Sequence, residues 1–270
     1  MTPFPGTKKM ISLEFRKIMA IGEADRLWEL FGFSSPRDLV LEDLALARGV
    51  VVTEGPLDRM EARLVRQGTR GLIRVKSNIP EIGRKRFAIA HELGHWELHQ
   101  GVSQLLACTE DDMVASCKTS VPEAEANYFA SGLLMPTRLF TARTGGTSLS
   151  VALISELANH FGASFTAAAM RYVDASPEAC ALVVSSAGRV QWWRGSKDFE
   201  DQFWISAGAV LPSSTVAGSV FKGGRRPVGP EKVDISAWSE RGGTEDEDVF
   251  IEECLIQERY GQILSLLRLP

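Results

Sequence analysis

Five residues constrain this chain more than any others: His91-Glu92-Leu93-Gly94-His95, inside the stretch Arg86–Trp96. No proline interrupts the stretch and apolar residues recur at Phe87, Ala90 and Leu98, so it reads as a helix. On a helix, positions i and i+4 lie on one face. His91 and His95 therefore aim at one point, close enough to hold one Zn²⁺ at roughly 2.0–2.1 Å each. Glu92 is offset from that stripe, where a carboxylate acts as general base on a metal-acidified water. A merely packed or solvated pair of histidines has the same spelling, so the reading turns on a third ligand.

His99 lies on the same stripe, eight residues past His91. An unbroken helix carries it roughly 6 Å beyond His95, too far to share the ion, so it reads as a residue at the helix C-terminus near Gly101. Downstream, Pro122 suits a first helical turn and Pro136 ends the element that begins near Val121. Glu123 and Asn127 stand at i and i+4 and share a face. Glu125 sits about 160° away from that line and looks elsewhere. Ser120-Val121-Pro122-Glu123 also fits a capping box, in which Glu123 would bond back to its own helix start. Glu125 then remains as the alternative ligand.

His91-Glu92-Leu93-Gly94-His95, followed by Glu123-x-Glu125-Ala126-Asn127-x-Phe129-Ala130-x-x-Leu133-Leu134-Met135-Pro136, resembles the ImmA/IrrE family of bacterial metallopeptidases, and more broadly the gluzincins. The likeness runs loosely from about residue 35 to 175. It implies His91, His95 and Glu123 as ligands of Zn²⁺, Glu92 as the base and Asn127 as the group that orients a ligating histidine. It also implies a twisted sheet before the metal helix, whose edge holds substrate as an added strand. The implied substrate is a helix-turn-helix transcriptional repressor, cut to release stress-response or mobile-element genes. The donor set also admits Mn²⁺.

The fold class expected is α+β: a gluzincin-like metallopeptidase core, a helix-turn-helix-like helical pair and a small β-rich C-terminal domain. The expected divisions are 1–147, 148–176 and 177–270. Residues 8–31 give one or two amphipathic helices around Gly22, and Ser35-Pro36 opens a helix reaching Arg48. Val50–Thr53, Met60–Gln67 and Leu72–Asn78 read as strands. Residues 100–120 read as a polar loop, a lid with Glu110-Asp111-Asp112 able to occupy the metal's open position. Helices near 150–160 and 165–174 turn at Phe161-Gly162-Ala163-Ser164 in a helix-turn-helix spacing. The second offers Phe165, three alanines and Met170 with few polar groups, so it reads as a packing element and not as a DNA reader. His160 has no partner at ligand spacing and reads as structural. Ala181–Val184 and Arg189–Trp193 flank the turn Ser186-Ala187-Gly188, with further strands at Gln202–Ile205, Val249–Cys254 and Ile263–Leu267. Trp192, Trp193, Phe199, Phe203 and Trp204 read as core, with a ligand surface as the alternative.

The chain has 270 residues, 44% hydrophobic and 24% charged, as in globular proteins, and no apolar run approaches the roughly 20 residues of a membrane span. The start lacks a secretion signal. Cys108, Cys117, Cys180 and Cys254 form no C-x-x-C, which fits a reduced cytoplasm, although a Cys108–Cys117 disulfide stays open. Nine basic residues face two acidic ones between Arg59 and Arg86, and Glu245–Asp248 with Glu252-Glu253 form an acidic block. Both read as solvated or mutually neutralising faces, or the basic stretch attracts an acidic partner. Two rival functions stand beside the peptidase: a non-proteolytic module that holds a repressor or antitoxin, and a DNA-binding regulator built on 150–174.

Overall fold

The computed structural model describes residues 5–58, 60–99, 107–109, 120–241 and 248–270. The chain divides into two compact units, Met1–Gly145 with Leu157–Ser164 and Gly146–Glu156 with Phe165–Pro270. Among the described residues no helix is long and apolar enough to cross a membrane.

In the first unit, α1 (Pro5–Leu30) is one helix that runs through Gly22. Ala20, Ala24, Leu27 and Trp28 form its buried stripe, at the spacing of one helix face. The Trp28 Nε1–H donates to the Leu133 carbonyl at 2.8 Å and so pins α1 to α4 (Val121–Leu134). Ser35-Pro36 does open a helical turn, held by a capping box in which the Asp38 carboxylate accepts the Ser34 and Ser35 N–H groups, but that turn is only the 3₁₀ stretch Pro36–Asp38. Helix α2 begins later, at Leu41–Ala47, because Leu39 and Val40 are extended.

A four-stranded sheet follows, in the order β1 (Val50–Gly55), β3 (Arg70–Lys76), β2 (Met60–Gln67), β4 (Ala107–Thr109). β1 runs parallel to β3 and the other pairs are antiparallel. β4 lies within the stretch expected to be loop. The rest of that connector, with Glu110–Asp112 and Cys117, lies outside the described residues, as does the side chain of Cys108. Alternation puts Ala62, Leu64, Ile73 and Val75 on a buried face, and α3 (Ile82–Leu98) packs on the sheet. A Cβ at Gly71 would lie 2.9 Å from the Trp96 ring, so glycine there lets the helix settle onto β3. Arg66 stacks on the same ring at 3.8 Å, Trp96 Nε1–H donates to the Arg48 carbonyl at 3.1 Å, and Arg48 grips Glu97 with two bonds of 2.8 Å. The C-terminal end of α3 is thus fixed to β2 and to the residue that caps α2. After Pro136, which ends α4 as expected, the chain re-enters a helix, α5 (Thr137–Thr144). Proline ends α4 but tolerates a helix starting after it.

The second unit is a five-stranded antiparallel sheet, ordered β6 (Arg189–Gly195), β5 (Cys180–Ser186), β9 (Gln262–Arg268), β8 (Val249–Gln257), β7 (Glu231–Asp234). β5 is buried along nearly its whole length, which explains its unbroken apolar run. The hairpin β5–β6 turns through Ala187 and Gly188, both at positive φ, as a tight two-residue turn requires. The helices α6 (Val151–Phe161), whose residues are divided between the two units, and α7 (Phe165–Ala175) are as expected, with the turn at Gly162 at φ +59, and α7 packs on β5 and β6. The strand expected at Gln202–Ile205 is absent: Ser196 caps Phe199 N–H and starts α8 (Lys197–Gln202) instead. Phe203 and Ile205 then enter the core from extended backbone, while Trp204 is 48% exposed.

Glu252 is fully buried, so the acidic block is not one solvated face. Its carboxylate accepts from Val216 N–H and Ala217 N–H at the start of α9 (Val216–Phe221), from Trp238 Nε1–H, from Ser265 Oγ and from Cys254 Sγ. Burial next to this charge pushes the Cys254 thiol far up. Glu252→Ala should strip those donors of their acceptor and destabilise this unit by about 3 kcal/mol or more, given about 1–3 kcal/mol per orphaned buried group. Calorimetry checks this as a lowered transition for the second unit with the first unchanged.

Candidate metal centre

Helix α3 places His91 and His95 one turn apart, and Glu92 between them is fully buried. Helix α4 brings Glu123, in its first turn, against the same point. His91 Nε2 lies 3.1 Å from His95 Nε2 and 3.1 Å from Glu123 Oε2, and His95 Nε2 lies 3.3 Å from Glu123. These three residues form a buried group that can hold a metal ion. Four ligands at 2.0–2.1 Å in a tetrahedron are separated by about 3.3–3.4 Å, so the spacing suits such an ion. Two imidazole nitrogens and a carboxylate oxygen all offer lone pairs here. The cluster therefore needs positive charge at its centre, from protons or from a metal ion, and the donor set fits the metal. Burial alone would raise the Glu123 carboxyl, but the hydrogen bonds and charge of His91 and His95 hold it far below the usual carboxylate range.

The helices can meet this closely because of Gly94. A Cβ there would lie 3.0 Å from the Ala126 Cα and 3.1 Å from its carbonyl. Small residues on both helices let the backbones approach until the Glu123 side chain spans the gap.

The outward nitrogens of both rings are also engaged. His91 Nδ1 meets Asn127 Oδ1 at 2.9 Å, and an amide oxygen there makes the ring the donor. His95 Nδ1 meets His99 Nδ1 at 3.1 Å. His99 Nε2 meets Glu125 Oε2 at 2.8 Å, and Arg16 of α1 donates to the other oxygen of Glu125 at 2.6 Å.

The structure thus brings His91, His95 and Glu123 to one point, with Asn127 behind His91, and buries Glu92, the residue after His91. The alternative at Ser120, a capping box, does not form, because its side chain makes no cap bond and Glu123 turns to the histidines. His99 caps the end of α3 as expected. Sequence reasoning missed its contact with His95 and missed Glu125 as the residue that receives it. The i, i+4 spacing of His95 and His99 was the available signal. Of the cations at the start of α3, Arg84 pairs with Glu61 and Lys85 with Glu54, while Arg86 lies against Gly162.

No curated protein matches the chain. Among solved structures, a Mycobacterium tuberculosis transcriptional regulator superposes with a TM-score of 0.60 at 16% identity, over 93% of this chain and 76% of that one. That likeness is one of fold. The family model described as the IrrE N-terminal-like domain, peptidase M78, matches residues 45–172. Residues 45–172, which contain α3, α4 and the whole His91–His95–Glu123 cluster, belong to the IrrE N-terminal-like domain family of peptidases.

Proposed function

We propose that the chain is a zinc-dependent endopeptidase that cleaves a helix-turn-helix transcriptional repressor, and that His91, His95 and Glu123 are its metal ligands. The observation that carries this reading is the convergence of three ligand atoms in a buried cluster with an ionisable carboxylate, Glu92, next to it in sequence. When bound, zinc supplies a Lewis acid that acidifies water and polarises a carbonyl. Glu92 takes the water's proton and delivers it to the leaving amine. Asn127 holds His91 in the tautomer that leaves Nε2 free. A substrate strand added along β4 would gain backbone bonds without much demand on sequence. The repressor is suggested by the family and by the regulator whose fold is shared. The free thiols Cys180 and Cys254 suit a reducing cytoplasm. The rival DNA-reading role fits poorly, because Arg171, the basic residue of α7, is 7% exposed.

Removing metal with a chelator should lower the melting temperature, and added zinc should restore it, a stabilisation of about 2.7 kcal/mol when free zinc is a hundredfold above Kd. Glu92→Gln should keep one zinc per chain yet lose about 100-fold or more in cleavage, the usual worth of a general base. The measurement is zinc content beside mass-spectrometric detection of cut repressor, using helix-turn-helix proteins of the source organism. Equal cutting by Glu92→Gln would overturn the role given to Glu92. A zinc-loaded wild type that binds a repressor and leaves it whole would make the chain a non-proteolytic regulator.

A further inference from the structure

The contacts behind His95 have a direction. A histidine that offers its Nε2 lone pair to a cation carries its proton on Nδ1. That Nδ1 faces His99 Nδ1 at 3.1 Å, so His99 must present a lone pair there and keep its own proton on Nε2. The Nε2–H then meets the Glu125 carboxylate at 2.8 Å, and Arg16 holds that carboxylate from outside at 2.6 Å. Every link is a donor facing an acceptor. With His99 neutral, the reverse order sets a bare His99 Nε2 against a carboxylate oxygen and puts the His95 proton on Nε2, where a ligand lone pair is needed. His99 and Glu125 are largely buried, with side chains 9% and 16% exposed, so water cannot readily repair the mismatch.

We propose that Glu125, through His99, is the positioning group that fixes the tautomer of His95, and that Arg16 anchors it. Asn127 does the same for His91 from the other side, but as a neutral amide. Glu125 is thus a residue of the site that touches neither metal nor substrate, and α1 becomes part of the centre through Arg16. The consequence for metal affinity rests on the proposed metal ligation; the tautomer itself does not.

The full chain, labelled at its histidine nitrogens, is the test. In long-range imidazole NMR spectra His99 should appear as the Nε2–H tautomer in the metal-free protein, and with zinc bound His95 should be Nδ1–H and His99 still Nε2–H. Glu125→Gln, whose amide can donate as well as accept, should abolish that single tautomer. Zinc affinity, from competition with a chromophoric chelator, should fall about tenfold to a hundredfold in Glu125→Gln and in His99→Ala, the usual cost of losing such a partner. The double variant should lose no more than His99→Ala alone, since both act along one line. Arg16→Ala should lose less than either, because Arg16 itself is nearly half open to solvent. An Nδ1–H tautomer on neutral metal-free His99, or zinc affinity of Glu125→Gln within twofold of wild type, overturns the relay while leaving the peptidase reading in place. A wild type that binds no zinc but shows His99 as Nε2–H would instead remove the metal reading and keep the tautomer assignment.

Discussion

Two imidazoles and a carboxylate are buried at one point between two helices, and most of the first unit is arranged around their need for partners. A buried polar group without a partner costs about 1–3 kcal/mol or more. Each ring nitrogen accordingly has a neighbour, one toward the cluster and one away from it. That requirement fixes how near α4 must come to α3, which in turn explains a glycine at position 94 and an alanine at 126. It also explains why α3, buried from Ala88 to Glu97, carries histidines and acids where an ordinary core helix carries leucine.

A site of this kind has to be held within a fraction of an ångström, and its supports are visible one residue beyond it. Trp96 follows His95 directly. Its ring is caught between Gly71 on β3 and the Arg66 guanidinium of β2, and its neighbour Glu97 is gripped by Arg48. Rotation of α3 about its axis would break all of these at once, so the direction of His95 is inherited from the sheet. Sites supported by packed elements keep their geometry better than sites on loops. The second unit offers a useful contrast. Glu252 is as buried as the histidines, but its donors are backbone N–H groups, an indole, a hydroxyl and a thiol. All of these turn a hydrogen toward it, and the carboxylate is fully satisfied. Burial of a charge alone therefore does not mark a metal site; the chemistry of the partners does.

Much of this was legible in the sequence, for physical reasons. The i, i+4 rule makes the convergence of His91 and His95 a property of any helix, and Glu123 with Asn127 follows from the same rule one element later. The hairpin at Ala187-Gly188 and the helical pair turning at Gly162 announce themselves through positive-φ chemistry. One expectation failed: Gln202–Ile205 was read as a strand, yet Ser196 caps a helix that runs into Gln202 and the residues after it pair with no sheet strand among the described residues. The capping box weighed as the alternative at Ser120 does not form, because two imidazoles offer Glu123 more than a backbone amide does. Local signals compete with tertiary ones, and the sequence shows only the first.

The missed contact of His99 has the same origin. A helical wheel assigns Glu125 to a face turned away from Glu123, and on an isolated α4 that is correct. Helix α3 is long enough to extend past the cluster, so its last turn passes over a different part of α4 than its middle does. His91 and His95 meet Glu123 and Asn127, while His99, one turn further on, meets Glu125. Two crossing helices thus use two faces of one helix for one site, and a wheel drawn for either helix alone cannot display that. The two arms differ in kind: a neutral amide stands behind His91, whereas a carboxylate stands behind His95 through a second ring. Charge delivered to a ring's far nitrogen strengthens the lone pair on its near one. The asymmetry arises from where α3 ends relative to α4.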